Sequence, residues 1–83
     1  MTRAEKLAER LQKVMTKKFE QDYSEAIFVR GDHVKFSTEY GCYGAEYYGM
    51  KGYAEICDTM EKFADKLDMH WEWENPAIIT LYK

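Results

Sequence analysis

The sequence predicts an α+β fold of order α-β-β-α-β-β, in which a four-stranded antiparallel sheet carries two helices packed on one face. Two stretches, 2–19 and 50–68, place apolar residues at the three- and four-residue spacing of an amphipathic helix. Two others, 26–40 and 69–83, read as strand pairs around turn residues. Because a chain of 83 residues has room for one small core, we expect a single two-layer sandwich.

The first helix is predicted from Thr2 to about Phe19. Thr2 followed by Glu5 forms a capping box, which favours a helix start at this point. The apolar stripe of this helix consists of Ala4, Leu7, Ala8, Leu11, Val14 and Met15.

The first hairpin is predicted from Ala26 to Tyr40, with its turn at Gly31-Asp32, because glycine readily adopts the positive φ that tight hairpin turns need. The resulting register makes two apolar pairs: Val29 with Val34, and Ile27 with Phe36. The other face of the hairpin receives Phe28, Arg30, His33, Lys35 and Ser37.

The second helix is predicted from about Met50 to Asp68, starting between Met50 and Tyr53, just after the glycine-rich stretch. A cysteine on an apolar helix face usually acts as a small buried hydrophobe, and we expect this of Cys57. Whether Cys57 pairs with Cys42 stays open, although two cysteines in a cytosolic chain are normally reduced. The predicted apolar face comprises Tyr53, Ile56, Cys57, Met60, Phe63, Ala64 and Leu67.

The second hairpin is predicted over 69–83 with its turn at Asn75-Pro76, because proline cannot donate to a central ladder. A loop of two residues or of three would fit this turn. We predict the three-residue loop, Asn75 to Ala77, because it separates polar from apolar side chains better. It pairs Trp73 with Ile79 and Trp71 with Leu81, and it leaves outside His70, Glu72 and Glu74.

The chain therefore reads as one domain, 1–83, built from two pseudo-halves. Each half is a helix followed by a hairpin, over 1–40 and 50–83. The loop 41–49, rich in tyrosine and glycine, joins them. This arrangement is what an internal duplication would give.

The segment from Tyr40 to Tyr53 holds five of the seven tyrosines and four of the five glycines. Tyrosine offers a large, stiff contact area at low entropic cost, and glycine lets the backbone adapt, so this composition is typical of recognition loops. The tyrosines are predicted either to contact a partner or to cover the core, while Tyr40 and Tyr53 at the ends are expected to be core. The candidate binding residues are Tyr43, Tyr47, Tyr48, Glu46 and Lys51.

The same stretch partly matches a phosphate-binding loop in the spacing of Gly44, Gly49 and Lys51. The lysine comes one place late, and Gly52 stands where such loops need serine or threonine. Free backbone N–H groups at the start of a helix would still suit a small anionic ligand at 44–52.

The net charge of −3 is unevenly distributed, with +4 over residues 1–18 and −7 over 19–83. The first helix carries a basic stripe of Arg3, Lys6, Arg10, Lys13 and Lys17. The second carries an acidic stripe of Asp58, Glu61, Asp65 and Asp68. A basic stripe suits phosphates and an acidic one suits a basic partner. The stripes are equally explained as facing each other across the helix pair or across a homodimer, or as simply solvated.

No catalytic or metal-binding spacing occurs in the sequence, so no enzyme activity, metal or cofactor is predicted. The charged start and the lack of a long apolar run predict a cytoplasmic protein without a membrane segment. We predict a small non-catalytic protein-binding module, an inhibitor or adaptor, that docks on a basic protein surface. In size, acidity and aromatic loop it resembles small phage-encoded inhibitors, anti-CRISPR proteins among them. The alternatives are a nucleic-acid-binding protein using the basic face of the first helix, and an anionic-ligand-binding protein or enzyme at 44–52.

Overall fold

The computed structural model describes residues 1–48 and 54–83, and the predicted α+β fold is confirmed. A four-stranded antiparallel sheet of strand order β1-β2-β6-β5 is accompanied by a small two-stranded sheet, β3-β4. None of the described helices is long and apolar enough to cross a membrane. The elements are α1 (Arg3–Phe19), β1 (Ile27–Arg30), β2 (His33–Ser37), a 3₁₀ turn (Thr38–Tyr40), β3 (Ala45–Glu46), β4 (Glu55–Ile56), α2 (Asp58–Lys66), β5 (His70–Asn75) and β6 (Ile78–Tyr82).

Helix α1 begins and ends with clear caps. The capping box is confirmed: Thr2 and Glu5 exchange side-chain and backbone hydrogen bonds at 2.9 and 3.1 Å. Glu20 closes the helix in the left-handed conformation. Val14 was predicted in the apolar stripe, and this is wrong, since its side chain is 43% exposed. At about 100° per residue, Val14 lies roughly 80° from the middle of the buried stripe.

The register predicted for the first hairpin is confirmed, with Val29 opposite Val34 and Ile27 opposite Phe36. Gly31 and Asp32 both have positive φ, 58° and 64°, as a tight turn between right-twisted strands requires.

The second hairpin also has the predicted pairs, Trp73 with Ile79 and Trp71 with Leu81. Its loop differs, because Asn75 pairs with Ile78 and leaves only Pro76 and Ala77 in the turn. A β-bulge at Glu74 takes up the extra residue and preserves the register. The Asn75 side chain accepts hydrogen bonds from the N–H groups of the next residues, Ala77 and Ile78.

The predicted start of the second helix is wrong. Helix α2 begins at Asp58, while Glu55 and Ile56 form strand β4, which pairs with β3 inside the stretch that the sequence marked as loop. Cys57 is the N-cap of the helix, and its N–H donates to the Gly44 carbonyl at 2.7 Å. Its side chain was expected to be buried and is only half-buried. The rest of the predicted start, including Tyr53, lies outside the described residues.

The core lies between the sheet and the helices. Strand β2 pairs with β6, which joins the two hairpins into one sheet, α1 packs on β1 and β2, and α2 packs on β5. Trp71 and Trp73 are half-buried against this core, and the Trp71 indole donates to the Met60 carbonyl. Fully buried large side chains include Leu11, Met15, Tyr23, Ile27, Phe36, Met60 and Ile79.

The centre of the opposite sheet face holds an ion pair between the buried Lys35 and the exposed Glu74. Lys35 donates to the Glu74 carboxylate and to the Thr80 hydroxyl, and this contact lowers the pKa of Glu74. These two partners satisfy the Lys35 ammonium group, which is buried although it lies on the face without helices.

Candidate functional site

Three of the predicted binding residues form an exposed aromatic surface. One lies between β2 and β3, and the other two directly follow β3. Tyr43, Tyr47 and Tyr48, called here the tyrosine surface, are 59%, 39% and 81% exposed. All three border one groove of about 440 Å³, which Glu46 also lines. Lys51, the fifth predicted binding residue, lies outside the described residues.

Tyr40 was expected in the core, and this is wrong, because its side chain is 53% exposed. Strand β2 ends at Ser37, and the chain continues as the 3₁₀ turn Thr38–Tyr40. The alternation of inward and outward side chains stops with the strand, so the hairpin pattern no longer places Tyr40.

Two side chains that follow α1 hold the backbone of Tyr43. The Tyr43 N–H donates to Gln21 Oε1 at 2.8 Å, and the Tyr23 hydroxyl donates to the Tyr43 carbonyl at 2.5 Å. Tyr23 is fully buried, and burial raises its pKa to about 12. Both backbone polar groups of Tyr43 are thus bound, and its ring is presented from a fixed main chain. We call Gln21 and Tyr23 the backbone clamp.

The next two residues fix this segment to the core. Gly44 is buried, and a Cβ built at this position would lie 2.8 Å from Phe36 Cζ and 3.1 Å from Met60 Sδ. Only glycine allows so close an approach. Ala45 is also buried and pairs with Ile56 in the small sheet. The chain is therefore anchored at 44–45, between Tyr43 on one side and Tyr47 on the other.

Edge-to-face aromatic contacts orient the rings of the tyrosine surface. The Tyr43 ring lies 4.8 Å from that of Phe19, at an interplanar angle of 60°. The Tyr47 ring lies 5.4 Å from that of Trp73 and 5.2 Å from that of Tyr48, both nearly perpendicular. Such pairs contribute about 0.5–1.5 kcal/mol each beyond their buried area. Tyr43 and Tyr47 thus pack against Phe19 and Trp73 and remain exposed, so a role as cover for the core is compatible with access for a partner.

A second cleft, of about 480 Å³, lies beside the same segment and reaches the start of α2. Cys42 and Cys57 line it, together with Lys18, Lys62 and Asp58. The two thiols are unpaired, and burial raises the pKa of both. Both therefore stay protonated at neutral pH, where a nucleophile would need to be a thiolate.

No histidine is among the residues described as lining this second cleft. Over 1–48 and 54–83, no group of three or more histidine, cysteine or carboxylate side chains is placed to hold a metal ion.

The two charged stripes form separate surfaces. The five residues of the basic stripe on α1 are exposed, as are the four carboxylates of the acidic stripe. Within the described part of the chain no ion pair joins α1 to α2, and Lys13 pairs with Glu9 on its own helix. The interpretation that the stripes neutralise each other across the helix pair is therefore not supported.

The sequence singled out the tyrosines but not the backbone clamp. Gln21 and Tyr23 act over a separation of about twenty residues, which leaves no local spacing to detect. The one signal is an aromatic residue inside the polar run from Glu20 to Glu25.

Comparison with known proteins finds no matching family model, no matching curated protein and no matching solved structure. The function is therefore argued from the site alone.

Proposed function

We propose that this chain is a non-catalytic binding protein, an inhibitor or adaptor, that docks on another protein through the tyrosine surface. The observation that carries this proposal is the exposure of three tyrosine rings on a backbone held rigidly at Tyr43 and Gly44. Exposed aromatic side chains are the usual anchors of protein interfaces.

The fixed backbone supports this proposal energetically. Binding costs free energy whenever a loop or side chain must be ordered, and segments that are already ordered avoid much of that cost. The backbone clamp and the close packing of Gly44 order the segment before any partner arrives. Tyr48, the most exposed ring, rests on Tyr47, which in turn rests on Trp73.

The acidic side chains set the expected charge of the partner. Glu46 lines the groove of the tyrosine surface, and Asp58 at the start of α2 lines the neighbouring cleft. Residues 19–83 carry a balance of −7. Such a field accelerates encounter with a basic surface, and it acts on the association rate more than on the final contacts.

The same proposal places the protein in the cytoplasm, without catalysis, metal or cofactor. Two protonated, unpaired thiols suit a reducing compartment. Burial raises the pKa of both thiols, which disfavours the thiolate form that a nucleophile needs.

The proposal is tested by affinity capture from the source cells with the wild-type chain and a variant in which Tyr43, Tyr47 and Tyr48 are alanine. We expect the triple variant to fold, by circular dichroism, and to lose the captured partner. Tyr40→Ala is the matched control, because it removes an exposed tyrosine outside the groove. Retention of the partner by a folded triple variant would refute the proposal.

Nucleic acid is the second candidate partner, and the exposure of the whole basic stripe favours it. Labelled DNA or RNA bound there should show an electrophoretic mobility shift. The affinity should fall steeply with rising salt, since phosphate contacts release counterions. Reversing Lys6, Arg10 and Lys13 to glutamate should abolish that shift, whereas the triple tyrosine variant should keep it. A chain that shifts no labelled DNA or RNA at low salt would exclude this candidate.

A further inference from the structure

The groove of the tyrosine surface has the chemistry of a site for an extended peptide. Besides the three tyrosines, it is bordered by Pro76 from the β5–β6 turn and by Gly41 and Ala45. We propose that it binds a segment of the partner in the polyproline II conformation, containing prolines and one arginine or lysine. The inference rests on the proposed function, because it specifies what the partner presents to the tyrosine surface.

The apolar lining of the groove consists largely of aromatic rings. A polyproline II segment is ordered before it binds, has three residues per turn, and is typically recognised in grooves lined by aromatic side chains. Tyr43 and Tyr47 supply such walls, and edge-to-face contacts with Phe19 and Trp73 preset their orientation. A preset groove and a preset ligand both reduce the ordering cost of binding.

The groove also offers polar side chains for hydrogen bonds. A polyproline II backbone has no internal hydrogen bonds, so its carbonyl groups are free to accept from a receptor. The hydroxyl groups of exposed tyrosines are suitable donors, and Thr38 and Gln21 add polar atoms to the lining. An added β-strand is a poorer fit, since strand β3 beside the groove has only two residues.

The charge of the groove determines which residue of the peptide flanks its prolines. Within residues 1–48 and 54–83, Glu46 is the one charged side chain that lines it. A carboxylate beside aromatic rings favours arginine or lysine, which pair with the acid and lie against the rings. The peptide is therefore basic as well as proline-rich, in agreement with the basic partner proposed above.

The experiment is calorimetric titration of the full chain with synthetic peptides of about 12 residues, enough for about four polyproline turns. One probe repeats Pro-Pro-Leu with a single N-terminal arginine, and another carries the arginine at its C-terminal end. Three further peptides replace the prolines by alanine, the arginine by glutamate, or the arginine by trimethyllysine. The variants are Tyr47→Ala, Glu46→Gln and, as control, Tyr40→Ala.

We expect at least one arginine probe to bind, and its affinity to fall about tenfold or more in Tyr47→Ala and on replacing proline by alanine. Glu46→Gln should weaken binding of the arginine probe and, by removing a like charge, should not weaken binding of the glutamate probe, and Tyr40→Ala should change nothing. The inference is overturned if neither arginine probe saturates at about 1 mM, or if the alanine or trimethyllysine peptide binds better. If the probes fail while the triple tyrosine variant still loses its cellular partner, the proposed function stands and only the peptide class is wrong.

Discussion

The Tyr23 hydroxyl links the core to the tyrosine surface, because it lies in a buried side chain and donates to the Tyr43 carbonyl. Tyr23→Phe should keep the ring packing and remove this bond, which costs about 1 kcal/mol in the free energy of unfolding. It should also weaken partner binding, since Tyr43 loses one of its two backbone restraints. Urea unfolding and titration with the captured partner measure the two effects, and Tyr40→Phe is the control. Unchanged binding in Tyr23→Phe would show that the backbone clamp has no part in recognition.

Burial of Tyr23 also predicts a pH dependence. Its pKa is raised to about 12, against about 10 for an exposed tyrosine. Because the folded state favours the protonated phenol, the contribution of this group to the free energy of unfolding is complete below about pH 10. It is lost as the pH rises toward 12. Absorbance at the phenolate band should show a titration step near pH 12 that Tyr23→Phe removes. A variant with the same titration curve as the wild type would contradict this assignment.

At the residue scale, the sequence revealed the exposed members of the site better than the buried ones. Tyrosines crowded among glycines marked Tyr43, Tyr47 and Tyr48 by composition alone. The backbone clamp depends on a contact between segments about twenty residues apart. Tyr40 was misjudged because the strand ends before it, at Ser37, whose side chain caps the 3₁₀ turn by accepting from the Glu39 N–H, and the alternating pattern of the hairpin does not show this cap.

At the element scale, the small sheet β3-β4 rests on the close approach of Gly44 to Phe36. Gly44→Ala should crowd the ring and cost about 1–3 kcal/mol in the free energy of unfolding. Adding Phe36→Leu should recover part of this loss, because it removes the ring atoms that the new methyl group meets. Thermal unfolding of the two single variants and the double variant measures the coupling energy between positions 44 and 36.

The control for this series is Gly41→Ala, which meets no atom within 4 Å but has a φ of 72°. It should lower the free energy of unfolding by about 1–2 kcal/mol through backbone strain alone, and adding Phe36→Leu should recover none of this loss. Additive losses for Gly44→Ala and Phe36→Leu would contradict the packing account.

Hairpins were easier to predict than the start of α2. Each hairpin has a turn and an alternating pattern close together in sequence, so the main strand pairs followed from Gly31-Asp32 and Asn75-Pro76, although a bulge at Glu74 shortens the second loop. Ile56 and Cys57 continue the helical spacing of Met60 and belong to no helix. The hydrogen bond from Cys57 to the Gly44 carbonyl decides this, and it is a tertiary contact.

At the scale of the whole molecule, charge is separated between a basic helix and an acidic remainder. Glu61→Lys with Asp65→Lys should slow association with a basic partner about tenfold at low salt, with a smaller effect on dissociation. Surface plasmon resonance at several salt concentrations measures both rates. Glu20→Lys with Glu25→Lys gives the same change in net charge at two exposed positions outside the acidic stripe and should slow association less. Equal slowing by the two pairs would leave net charge, and not the acidic stripe, as the cause.

The sequence predicted the layers of the fold but not how its halves meet. Amphipathic periods and turn residues were enough for two helices and two hairpins in one sheet. The pairing of β2 with β6, which sets the strand order, depends on contacts such as Phe36 with Ile79 that no local pattern reports. The two stripes were likewise visible in the sequence, while their separation on the surface required the structure.

The central claim is that another protein docks on the tyrosine surface. It is tested most directly by placing a photo-crosslinking amino acid at Tyr48, and separately at Val14 on the exposed side of α1, in the full chain. Illumination in the source cells should attach a protein at position 48 and none at position 14, and Tyr43→Ala with Tyr47→Ala should remove the adduct. An adduct at position 14 with none at position 48 would contradict the account.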